Sequence, residues 1–185
     1  MDGDYWAYGS SGSHLYDSDR TADWGHNFIS NGSTYNWRTL TKEEWEYLIF
    51  ERKDNNGAPL YGQGKLGSCT PGMIILPDDW VPPTGVPDFI AGNSDWSYPN
   101  SSNYYTYSEW GLMEAAGAVF LPAAGMFWNN GTSTPWGAGV RGNYWSSSYK
   151  DNNNAIYLFF STDPPIVREL NRSYGYSVRL VTDAN

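Results

Sequence analysis

The chain of 185 residues holds one cysteine, two histidines, and only 17% charged side chains. Cys69 therefore has no partner for an internal disulfide, and its "GSCTPG" surroundings read as a loop carrying a structural or incidental thiol. A zinc centre draws on several His or Cys ligands at set spacing, so His14 and His26 with one cysteine exclude catalytic zinc. No G-x-S-x-G elbow, P-loop or dinucleotide fingerprint is read, which leaves acyl-transfer, nucleotide and dinucleotide chemistry without their usual scaffolds. The start "MDGDYWAYGSSGSHLYDSD" has no basic segment followed by an apolar one, so no secretory signal is expected in this chain. No apolar run approaches the roughly 18 residues of a membrane span. Lysine and arginine number 11 against 20 acids, a net charge of -9, which argues against nucleic acid as a partner.

Aromatic residues are present in excess, with 10 Trp and 15 Tyr. These rings give large contact areas with few rotatable bonds and a polar tip. A single ring is ordinarily core packing, but the excess as a whole points to recognition.

The length fits one domain with a short arm. Gly, Ser and Asp dominate the first residues, so 1–23 is expected to be a flexible arm and 24–185 the folded domain. Thr41 followed by Glu44 forms a T-x-x-E capping box, with Trp45, Leu48, Ile49 and Arg52 at helical spacing behind it. Thr106 and Glu109 repeat the device, Trp110, Met113 and Ala116 continue the stripe, and Gly117 supplies a left-handed stop. Met73 to Leu76 reads as a short buried strand, and "GAVFLPAAG", "GNYWSSS", "AIYLFF" and "SYGYSVRLV" as further strands and turns. Alternation in "YSVRLV" places Ser177, Arg179 and Val181 on one face and Val178 and Leu180 on the other. Two helices and a strand-rich remainder make the class α+β.

Acidic clusters offer little chemistry. Glu43, Glu44 and Glu46 suit the electropositive end of a helix, and Asp78 and Asp79 suit a turn. Asp151 with Asn152, Asn153 and Asn154 offers oxygens to a structural calcium, but the spacing matches no recognised loop and a solvated turn is preferred. No cofactor is expected.

The stretch "NWRTLTKEEWEYLIFER" resembles the W-R-L-P-T-E-x-E-W-E-Y helix entry of the formylglycine-generating-enzyme branch of the C-type lectin fold. Thr41 stands at that family's capping Thr, and Trp45 and Tyr47 at its buried aromatics. "MEAAGAVFLPAAG", "GNYWSSS" and "GYSVRLV" resemble bacterial and phage surface domains, among them the variable proteins of diversity-generating retroelements. The resemblance runs from Trp24 to the C-terminus. It implies two helices packed on a small twisted antiparallel sheet with long irregular loops, and a location on a cell surface or phage particle. Formylglycine-generating enzymes need a cysteine pair for copper-dependent oxidation, and this chain has Cys69 alone. Calcium-dependent lectins use Glu-Pro-Asn and Trp-Asn-Asp motifs, and neither occurs.

In such variable proteins a retroelement rewrites adenine-derived positions of a C-terminal repeat while the fold stays fixed. The resemblance then implies a hypervariable region of about 141–176 that binds a protein or surface ligand without catalysis. The implied contacts are Arg141, Asn143, Tyr144, Tyr149, Asp151, Tyr157, Phe159, Arg168, Glu169, Asn171, Arg172, Ser173, Tyr174 and Tyr176. Trp145, Gly175, Val178 and Arg179 look like the invariant frame. The alternative of the same fold is a non-diversified adhesion or glycan-binding module with a fixed partner. Loops and one exposed strand face vary freely when core packing does not depend on them.

Overall fold

A computed structural model describes residues 37–68, 70–96, 103–127, 134–151 and 153–182. The arm at 1–23, both histidines, Cys69 and Asn152 lie outside the described residues.

Strand β1 (Trp37–Thr39) leads to helix α1 (Lys42–Glu46), which continues as a π-helical segment over Tyr47–Glu51. Both halves of the capping box form: the Thr41 hydroxyl accepts from Glu44 N at 3.2 Å, and the Glu44 carboxylate accepts from Thr41 N at 2.8 Å. Arg38 braces that carboxylate through two nitrogens at 2.7 and 2.6 Å. Trp45 and Ile49 turn inward and are buried. Tyr47 departs from the resemblance, being half exposed, because the turn after Trp45 points it away from the core.

Strands β2 (Tyr61–Leu66) and β3 (Thr70–Ile75) form an antiparallel hairpin, flanked by β4 (Asn103–Tyr105) and β5 (Val119–Pro122) in the order β4-β2-β3-β5. The apolar run from Met73 thus belongs to β3, and Leu76 follows it, also buried. Helix α2 (Tyr107–Ala115) carries its own Thr106–Glu109 box and ends at Gly117, whose φ of 94° is the left-handed stop. In "GQGKLG" the glycines 62, 64 and 67 do spell G-x-G-x-x-G. They sit within and just after β2 of a hairpin, not at a strand-to-helix turn, so no phosphate cradle forms. A side chain at Gly64 would collide with the backbone of Asn103, which β2 pairs in parallel.

The third sheet holds β6 (Gly142–Tyr149), β7 (Asn154–Phe160) and β8 (Ile166–Asn171), all antiparallel. The last strand, β9 (Leu180–Thr182), returns to pair with β1. The class is α+β, and the expectation of one small antiparallel sheet is corrected: the described residues form three sheets with one parallel pair.

Among the described residues, three apolar clusters hold these parts together. The largest joins Trp45 and Ile49 to Met73, Leu121, Tyr144, Leu158 and Phe160, so α1, the four-stranded sheet and one face of the third sheet meet there. A second packs α2 on Ile74, Leu76 and Tyr105. The third lies on the opposite face of the third sheet and contains Trp145, Ala155 and Tyr157. Helix α1 is also tied to β6: Lys42 N donates to the Ser148 hydroxyl at 2.8 Å and Ser147 N to Leu40 O at 2.9 Å.

Candidate ligand-binding face

Alternation along a strand sorts the third sheet into two faces. In β7 and β8 the register pairs Tyr157 with Arg168 and Phe159 with Ile166, and in β6 it pairs Trp145 with Tyr157 and Asn143 with Phe159. Residues 143, 145, 155, 157, 159, 166, 168 and 170 therefore share the face turned away from α1. Residues 144, 156, 158, 160, 167 and 169 share the other, where Tyr144, Leu158, Phe160 and Val167 join the largest core.

After β8 the chain turns at Asn171 and Ser173 and crosses to the far edge, where Ser177 pairs with β6: Ser177 N donates to Asn143 O at 3.0 Å and accepts Trp145 N at 2.9 Å through its own carbonyl. This crossing lays Tyr174 and Tyr176 over the outward face. Tyr176 stacks on Trp145 at 4.4 Å between centroids, Tyr157 lies 4.7 Å away, and Tyr174 stacks on Tyr176 at 6.0 Å. Burial pushes the Tyr176 hydroxyl well above the ordinary tyrosine value, and the neighbouring Tyr157 adds to the shift. At its outer margin the exposed Arg168 lays its guanidinium 4.8 Å from the Phe159 ring centre and 5.6 Å from that of Tyr157. Its Nε donates to the Tyr157 hydroxyl at 2.6 Å.

Most of the candidate residues fall into three groups. Phe159, Arg168, Tyr174 and Tyr176 gather on this face with exposed or half-exposed side chains, and Tyr157 lies fully buried beneath them. Glu169, Asn171 and Ser173 follow the exposed β8 margin; Glu169 points to the other side and pairs with Lys150 at 3.0 Å. Arg141 stands before β6, half-buried, with its guanidinium 4.0 Å over the Trp136 ring.

Four candidates are corrected to scaffold. Asn143, Tyr144, Tyr157 and Arg172 expose 2%, 4%, 0% and 7% of their surface. Asn143 Nδ2 donates to Gly125 O at 3.2 Å, and the Tyr144 hydroxyl donates to Pro122 O at 2.8 Å, so both hold β6 to the segment after β5. Arg172 N donates to Asn153 O at 2.9 Å and closes the end of the β7–β8 pair. Tyr149 belongs to β6 by its backbone, and its side chain lies outside the described residues.

Asp151 is a turn residue. Its Oδ1 accepts from Asn153 N and Asn154 N, each at 2.8 Å, and the Asn154 amide holds the carboxyl below its usual range. Among the described residues no three His, Cys, Asp or Glu side chains converge as metal ligands, and no helix is long and apolar enough to cross a membrane.

Of the frame residues, Trp145 is buried, Val178 packs against the outward cluster, and Gly175 exchanges backbone hydrogen bonds with Phe127 at 2.8 and 2.9 Å. Arg179 is exposed. Phe127 and Trp136 were not among the candidates, yet each is nearly half exposed; Phe127 bridges to Gly175 and Trp136 to Met126. Both lie in "GMFWNNGTSTPWG", where three aromatics among turn residues are the only signal.

Comparison of the chain with protein-family models, with curated proteins and with solved structures found no match.

Proposed function

We propose that this chain is a non-enzymatic binding domain of the C-type lectin fold that recognises a protein or surface ligand through its C-terminal region. In this reading a diversity-generating retroelement varies the rim of the outward face while β6, β7 and the closing segment stay fixed. The observation that carries it is the grouping of Phe159, Arg168, Tyr174 and Tyr176 on one face above the packed Trp145 and Tyr157. Half-exposed rings with a guanidinium beside them bind by stacking and directed hydrogen bonds, and they ask for no reacting group. The neighbouring Glu169, Asn171 and Ser173 sit on an edge strand and its turn, where substitution disturbs no core.

The contact set is narrower than the sequence implied. Asn143, Tyr144, Tyr157 and Arg172 belong to the scaffold, and the nearly half-exposed Phe127 bridges to Gly175, between Tyr174 and Tyr176.

Sequencing the genomic neighbourhood tests the retroelement. The expected finding is a near-identical repeat of the 141–176 coding segment beside a reverse-transcriptase gene, with mismatches at adenines. Those mismatches fall on the codons of rim residues such as Arg168, Glu169, Asn171 and Ser173, and spare Gly142, Trp145 and Leu158. Absence of a repeat removes the retroelement and leaves a fixed adhesion or glycan-binding module of the same fold.

A further inference from the structure

Arg168 has an unusual position for a cation in an acidic chain. The sequence offers 20 carboxylates against 11 Lys and Arg, yet no acidic partner of Arg168 exists among the described residues. Its neighbour Glu169 is turned to the other side of β8 by strand alternation and pairs there with Lys150. The Nε of Arg168 is engaged by the Tyr157 hydroxyl, and two rings back the guanidinium plane. The two terminal nitrogens of this exposed side chain make no hydrogen bond among the described residues, and the Nε bond and the two rings restrict the orientation of the fork. A pre-oriented guanidinium fork matches a carboxylate through two parallel hydrogen bonds and loses little entropy on doing so.

A second guanidinium repeats the pattern. Arg141 directly precedes Gly142, the first residue of β6. Its guanidinium carbon sits 4.0 Å from the centre of the Trp136 ring, and its buried Nε has no hydrogen-bond partner among the described residues. A buried donor without an acceptor is costly, and a ligand acceptor relieves that cost.

We infer that the ligand of this face is a protein segment that presents a carboxylate to Arg168 with an apolar or aromatic group beside it on Phe159. The inference rests on the binding face proposed above and names its ligand class. Charge decides between a carboxylate and a more highly charged partner. A domain of net charge -9 repels phosphorylated polymers and anionic membranes, whereas one carboxylate set among apolar groups meets only the local field of the arginines.

Three small probes test this by NMR of protein labelled with nitrogen-15 at arginine, tryptophan and tyrosine: phenylacetate, its neutral amide phenylacetamide, and phenyl phosphate. Phenylacetate is expected to shift the Arg168 Nε–H signal and to bind about tenfold more tightly than phenylacetamide, the difference one charge-assisted pair supplies. Arg168→Gln abolishes that preference, Arg168→Lys keeps part of it, and Lys150→Gln leaves it intact. Circular dichroism of the Gln variant confirms that it is folded.

Equal binding of phenylacetate and phenylacetamide at these residues, or an unchanged preference in Arg168→Gln, overturns the carboxylate and leaves the binding face standing. Tighter binding of phenyl phosphate than of phenylacetate overturns it in favour of a phosphate ligand. If none of the probes moves the arginine signals or the Trp145 and Tyr176 resonances, the inference and the binding face fall together.

Discussion

Arg168 and Tyr157 face each other across β7 and β8, and the arginine Nε donates to the tyrosine hydroxyl at 2.6 Å. One partner is exposed and the other fully buried, so this bond crosses the boundary between rim and scaffold. The rim side chain is oriented by the scaffold, but the scaffold's packing comes from Trp145, Tyr176 and Ala155.

Removing the acceptor separates orientation from packing. Tyr157→Phe keeps the ring and is expected to cost about 1 kcal/mol of stability, the net value of one hydrogen bond. The Arg168 side chain loses its preferred rotamer at the same time. Thermal unfolding measures the first effect, and relaxation of the Arg168 Nε–H signal measures the second.

The two faces of the sheet differ sharply in what substitution costs. Tyr144→Ala removes a ring stacked on Phe160 at 6.0 Å and edge-on to Trp45 at 6.4 Å, and is expected to cost about 3–5 kcal/mol. Glu169→Ala removes an exposed ion pair and is expected to stay within about 0.5 kcal/mol of the parent. Urea denaturation of the two variants checks both values.

Gly142 tolerates no side chain. A Cβ there would run into the Phe160 ring, which lies directly across the strand pair. Gly142→Ala is expected to cost about 1–3 kcal/mol through overpacking. Gly111, with open space around its Cβ position, lies in the interior of α2. Gly111→Ala is expected to stabilise the protein by up to about 1 kcal/mol. Opposite signs in a thermal melt distinguish the two glycines.

Acid should loosen the start of α1. The bond from Arg38, helped by the Thr41 backbone, holds the Glu44 carboxyl below its usual range. A lowered folded-state pKa adds stability that is present above the unfolded carboxylate value and is lost as pH falls through the folded one. The melting-temperature gap between the parent and Glu44→Gln is therefore expected to be widest near neutral pH and to close below pH ~4.

Local signals made the helices legible in the sequence. Thr41–Glu44 and Thr106–Glu109 are contiguous boxes, and both form. The π-helical continuation of α1 was not legible, because nothing in "YLIFE" distinguishes it from an α-helix. β2 was hidden by its glycines, which are required by the close approach of Asn103 and have no β propensity of their own. β8 was not legible as a strand, since it lies inside the variable region of about 141–176 that the resemblance implies. Its "IVRELN" alternates weakly because an edge strand buries little on either face. The closing "YSVRLV" was expected as one strand, but only Leu180–Thr182 pairs with β1, while Ser177 bridges to β6. The candidate face was legible in its rings and Arg168. Burial of Asn143, Tyr144 and Arg172 was not, since it depends on partners distant in sequence such as Gly125 and Pro122.

Stability measured across two small libraries tests the central claim most directly. One randomises Arg168, Glu169 and Ser173, and the other Asn143, Tyr144 and Leu158. Most rim variants are expected to melt within a few degrees of the parent, while most variants of the buried set fail to give a cooperative melt. Rim variants that lose stability as widely as the buried set would contradict it.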